Sequence, residues 1–169
     1  MITTGIPTSD ATKTEVLNVI SGEICADIAD FPLINYGAAG ANLDGIPVLC
    51  GGGNYPTPYY QTCYKFTNDG WQEFASMKEK RDSAAGIMFK NKFHVFGGAY
   101  DYSSISQTSE IISIDGSVEY GPDLPEGVYW HAITSINSTV SLLSGDDGQE
   151  EVRERRAARD AALIIILLE

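Results

Sequence analysis

An apolar run closed by glycine recurs three times in this chain, twice with the glycines paired, and no other feature restricts the fold as much. The runs are Val48 to Gly52, His94 to Gly98 and Ser141 to Gly145, and their last glycines lie 46 and 47 residues apart. Other landmarks move in step. The turns Ser21-Gly22, Asp69-Gly70 and Asp115-Gly116 are spaced by 48 and 46 residues, and Val16, Tyr64 and Ile111 by 48 and 47. Several landmarks sharing one period mark an internal repeat, in which each copy buries its apolar surface against its neighbours.

Each full copy contains four strand signals. In the third, Ser83 to Phe89 ends at the tight turn Lys90-Asn91-Lys92, and Phe93 to Phe96 returns as its hairpin partner. These are strands a and b. A loop from Ala99 to Gln107 leads to strand c, Ser109 to Ile114, rich in the branched side chains that a pleated sheet accepts. Asp115-Gly116 then turns the chain into strand d, Ser117 to Tyr120, which Pro122 and Pro125 terminate. The second copy runs from Tyr36 through the Leu43-Asp44-Gly45 turn to Met77. Four short antiparallel strands in about 47 residues fit one blade of a β-propeller. The expectation is an all-β fold with blade units at about 2–30, 36–77, 83–125 and 131–146, followed by an unrelated tail at 147–169.

In the central copy the glycine doublet is followed by Tyr64 and Trp71 with six residues between them, then by Met77, Arg81 and Ser83-Ala84-Ala85-Gly86. This order resembles the kelch repeat, and the likeness covers about Ile2 to Gly145. It implies a partial kelch-type propeller of the extracellular kind whose b-to-c and d-to-a loops contact partners. Ile111 and Val118 stand in place of the Tyr and Trp in the third copy, and Val16 and Glu23 in the first.

Those loops emerge on one face of a meander. The segment Asn54 to Tyr60 carries prolines and three tyrosines, and it shares that face with Ala99 to Tyr102 and with Lys80-Arg81. Tyrosine and arginine combine buried area with directed hydrogen bonds, so Tyr55, Tyr59, Tyr100, Tyr102 and Arg81 form the candidate binding surface. The alternative is that the tyrosines pack on neighbouring loops and Arg81 pairs with Asp82 or a strand carbonyl.

A formal charge of −12 over 169 residues argues against nucleic acid and against an anionic membrane surface, because both need clustered cations. Neither His94 nor His131 has a metal-site spacing to cysteine or carboxylate. No catalytic residue, metal or cofactor is expected, and the function implied is a non-catalytic interaction module with an unknown protein partner. The competing reading is a carbohydrate-binding or carbohydrate-oxidising protein of the galactose oxidase kind. His131 beside Trp130 and Tyr129 suggests it, but the set of two histidines, two tyrosines and a thioether cannot be assembled.

Cys50 ends strand b and Cys63 begins strand c, positions that adjacent antiparallel strands bring within disulfide reach. A bridge there implies an oxidising compartment, and two buried thiols in the cytoplasm are the alternative. Cys25 has no evident partner. Asn137-Ser138-Thr139 is a glycosylation sequon at a hairpin turn, which together with the bridge favours secretion.

The apparent blades sum to about three, fewer than the four to eight or so of a closed propeller. Either the chain is a fragment, or it associates with itself or a partner to complete the arc, or the tail masks an edge. From Gln149 to Arg156 the tail contains strong helix formers with opposite charges at i, i+4, so a helix is expected. The run Leu163 to Leu168 either ends that helix or adds a strand to an open sheet edge. A sequence junction with no blade structure is the third reading of the tail.

Overall fold

The structure, a computed structural model, describes residues 2–3, 12–17, 20–21, 24–25, 28–54, 58–101, 103–136, 139–143 and 163–167. No helix occurs among them. The strands form four separate antiparallel meanders. The first sheet contains β1 (Ile2–Thr3), β2 (Thr14–Leu17) and β3 (Ile24–Cys25). The second contains β4 (Ala39–Leu43), β5 (Ile46–Cys50), β6 (Thr62–Thr67) and β7 (Gly70–Ser76). The third contains β8 (Ala85–Phe89), β9 (Lys92–Phe96), β10 (Ser109–Ile112) and β11 (Val118–Tyr120). The fourth contains β12 (Ala132–Ile136), β13 (Thr139–Leu143) and β14 (Leu163–Leu167).

Local chemistry sets the hairpins. Asp44 and Gly45 take φ of 55° and 83°, and Lys90 and Asn91 take 46° and 58°. Two successive left-handed residues make the turn whose twist matches a two-residue hairpin. β4 lies against β8, and β8 against β12, so the first strands of successive sheets stand side by side. The apolar core fills the space between sheets. Leu43, Val48, Cys50, Cys63 and Met77 of the second unit meet Phe93, Val95 and Ile112 of the third. Phe96, Leu124 and Val128 meet Val140 and Leu142 of the fourth. Because β9 supplies both cores, its residues from Phe93 to Phe96 are all buried and show no alternation.

The glycine doublets occupy the junctions between sheets. Gly51 and Gly52 have φ of 72° and 86°, and Gly97 and Gly98 have 60° and 91°. The second glycine of each pair donates its N–H to the chain entering the next sheet: Gly52 to the Arg81 carbonyl at 2.7 Å, Gly98 to that of Val128 at 2.8 Å. A Cβ on Gly51 would lie 2.3 Å from the Arg81 carbonyl oxygen, and one on Gly97 2.4 Å from that of Val128. Both conformation and space therefore demand glycine. Gly51→Ala is expected to lower stability by at least about 1–3 kcal/mol from backbone strain, read as an earlier urea midpoint; an unchanged midpoint would contradict this account of the doublets.

Strand register corrects one alignment. Cys50 pairs with Cys63 and Phe96 with Ser109. With Gly52 matched to Gly98, the position equivalent to Tyr64 is Glu110, not Ile111. The c-to-d turn of the third sheet is one residue longer, with Ile112 opposite Val118 where Phe66 faces Trp71.

At the apolar end of the tail the structure decides between the two readings in favour of an added edge strand. Leu163–Leu167 is not helical: it pairs antiparallel with β13 across Thr139–Leu143 and takes the strand-c place of the fourth sheet. The helix expected from Gln149 to Arg156 lies outside the described residues, as does Asn137.

Candidate functional site

The b-to-c and d-to-a connections are tied together by backbone bridges on one face. Gly53 bridges Tyr36 and Tyr59, and Ala99 bridges Asp82 and Ile105. Tyr60 donates its N–H to the Gly52 carbonyl and Ser106 to that of Gly98, each at 2.8 Å. Asp101 accepts from the Ser103 backbone at 2.8 Å, which draws its carboxyl below the usual range. These bonds hold the loops as shaped surfaces.

Between the second and third units they leave a groove of about 660 Å³, lined by Gln61, Lys78, Lys80, Tyr100, Ile105 and Gln107 among others. Tyr100 is 45% exposed at its edge. Tyr59, in the preceding b-to-c loop, is half-buried and does not line the groove. Tyr55 and Tyr102 lie outside the described residues. Lys78 extends over the Tyr120 ring, its nitrogen 5.6 Å from the centroid.

Arg81 is not part of the surface. It is completely buried, and so is Glu110, whose Oε1 lies 3.1 Å from Arg81 Nε. Arg81 Nη1 donates to the carbonyls of Gly97 at 2.7 Å and Thr108 at 3.0 Å, and to Ser106 Oγ at 3.1 Å. Nη2 donates to Glu79 Oε2 at 3.2 Å and to the Thr108 hydroxyl. Glu110 also accepts from the backbone N–H groups of Lys78 at 2.6 Å and Glu79 at 3.1 Å. Every guanidinium nitrogen is engaged, so Arg81 braces the floor of the groove rather than facing a partner. Asn35, which occupies the equivalent position one repeat earlier, donates to the Gly51 carbonyl at 3.0 Å as Arg81 does to Gly97.

Tyr64 and Trp71 likewise serve packing. Phe31 lies edge-on to both, with centroids at 4.9 and 5.2 Å, and Trp71 Nε1 donates to Thr14 Oγ1 of the first sheet at 3.0 Å. Burial and the adjacent Glu73 carboxylate push the Tyr64 hydroxyl up to about 12. Cys50 and Cys63 are joined as a disulfide across facing positions of β5 and β6, with Cα atoms 4.1 Å apart.

The binding surface inferred from sequence omitted Trp130. It is 71% exposed, and its φ of 51° matches those of Gly37 and Ser83 at the same place in the two preceding units. Alignment of the three copies at that position is the signal that would have found it. Among the described residues no group of three or more histidine, cysteine, aspartate or glutamate side chains is placed to hold a metal ion.

No family model and no curated protein sequence matches this chain. Among solved structures 146 chains match. The structure of YjhT superposes with a TM-score of 0.64 at 14% identity, covering 71% of this chain and 47% of YjhT. The chain thus spans about half the length of that protein, and the likeness is one of fold: separate antiparallel sheets of three and four strands set side by side, a β-propeller-like arrangement.

Proposed function

We propose that the chain is a kelch-type propeller segment acting as a non-catalytic protein-interaction module, with a protein partner received on the face of b-to-c and d-to-a loops. The observation that carries this reading is the preformed groove with exposed Tyr100 at its edge and a braced, buried network beneath it. A rigid floor lets an aromatic side chain contribute area without an ordering cost. The disulfide supports an oxidising, extracytosolic setting.

The test is capture of partners by crosslinking from extracellular fluid, comparing the native chain with a Tyr100→Ala, Lys80→Glu variant. Both side chains are exposed, so the melting temperature should hold while capture falls by tenfold or so. Unchanged capture would remove this face from consideration. Specific retention on a glycan array in place of protein capture would favour the carbohydrate-binding alternative.

A further inference from the structure

At the start of strand a, three repeats place a left-handed residue: Gly37 at φ 67°, Ser83 at 56° and Trp130 at 51°. Glycine adopts this conformation freely and serine at modest cost, but a bulky aromatic residue there is strained. The Trp130 backbone is anchored by its N–H donating to the Ser83 carbonyl at 2.9 Å, while most of its ring faces water. Strain and exposed aromatic area both oppose stability, which points to a use outside the fold.

Beside the ring is a cleft of about 370 Å³ whose lining includes Tyr36, Gly37, Asp82, Ser83, Trp130 and His131. Asp82 Oδ1 is buried there without a hydrogen-bond partner, and it sits where a Cβ on Gly37 would come within 2.0 Å. The carboxylate's remaining contacts are with Ser83, whose Oγ donates to Oδ2 at 3.3 Å and whose backbone N–H also draws on the group. Burial raises the Asp82 carboxyl above its usual range, as expected of a carboxylate that lacks a counter-ion. The ion pairs among the described residues use Lys13, Arg81 and Lys92, and none includes Asp82. Both ring nitrogens of His131 also lack partners. Burial holds that imidazole down to about 4, so at neutral pH it offers one donor and one acceptor but no positive charge.

We infer that this cleft receives an arginine side chain from a basic segment of a partner protein, its guanidinium pairing with Asp82 and stacking against Trp130. A planar guanidinium combines these abilities: it bonds a carboxylate in a directed way, stacks on an indole face, and has N–H groups to spare for the acceptor nitrogen of His131. An anion would meet the unpaired carboxylate, and a lysine ammonium lacks the flat face. The net charge of −12 favours approach of a cation. Asp82 is bridged to Ala99, the chain neighbour of Tyr100 at the edge of the groove already described. The inference rests on the protein-interaction reading and adds the residue type that the partner must present.

The experiment titrates the full chain with an acetylated, amidated glycine–arginine–glycine tripeptide and with its citrulline counterpart, following the indole N–H resonances of the two tryptophans. The arginine peptide should shift Trp130 and leave Trp71 in place, with the citrulline peptide at least about tenfold weaker. Trp130→Gly relieves the backbone strain, so it should fold at least as stably as the native chain yet bind at least about tenfold more weakly. Asp82→Asn should erase the difference between the two peptides. The inference is overturned by equal binding of arginine and citrulline peptides, by native affinity in Trp130→Gly, by an unmoved Trp130 resonance, or by a lysine peptide binding as tightly. Those failures would leave the Tyr100 capture result standing, whereas loss of that result would not abolish tripeptide binding.

Discussion

Arg81→Met is expected to lower the free energy of unfolding by about 3–5 kcal/mol, because it leaves the Glu110 carboxylate buried without its cation. At about 2–4 °C per kcal/mol for a chain of this size, the melting temperature should fall by roughly 6–20 °C. Glu110 would retain only the backbone donors of Lys78 and Glu79, while the Gly97 and Thr108 carbonyls and Ser106 Oγ would lose a donor. The loss therefore comes from stranded polar groups more than from the pair's intrinsic attraction.

That distinction can be measured. Replacing Glu110 by leucine in the Arg81→Met background should recover a large part of the stability, since an apolar pair of similar volume removes the stranded charge. The expected signature is a double variant more stable than Arg81→Met alone, by urea and thermal unfolding. A single-variant loss under about 1 kcal/mol would show that the network contributes nothing net. Glu79 is less buried than Glu110, with a side chain 28% exposed, so Glu79→Gln should cost much less than either core replacement.

The contrast between Arg81 and the glycine doublets shows what the sequence could reveal. Left-handed backbone has a compositional mark, so Gly51-Gly52, Gly97-Gly98 and the turns at Asp44-Gly45 and Lys90-Asn91 were legible, and with them the four-stranded unit. Burial of a charge has no such mark. Lys78-Glu79-Lys80-Arg81 has the composition of a solvated surface, and only a partner 29 residues downstream takes Arg81 inside. Trp130 stands out once it is set against Gly37 and Ser83, a comparison that requires the correct register. The one-residue difference in the c-to-d turn likewise displaced the match of Tyr64 from Glu110 to Ile111. At Leu163–Leu167 the sequence left a helix end and an edge strand both open, and pairing with the open side of β13, which suits the three isoleucines, decides for the strand.

Reduction of the Cys50–Cys63 bridge should cost about 3 kcal/mol if loop-closure entropy dominates, given a sequence separation of 13. This corresponds to a fall in melting temperature of roughly 6–12 °C. Both cysteines are buried in the core shared with Met77, Phe93 and Val95. A mild reductant should consequently act slowly on the folded chain and quickly once urea opens the second sheet. Reduction leaves both sulfur atoms in the core, whereas a Cys50→Ala, Cys63→Ala variant loses the link and also vacates the volume of two sulfurs. The double variant should therefore be less stable than the reduced native chain by about 1–2 kcal/mol, the cavity contribution. Equal stabilities would assign the whole effect to the unfolded chain. Free thiols at both positions in protein purified without reductant, found by alkylation and peptide mass mapping, would refute the bridge and with it the main physical argument for an oxidising compartment.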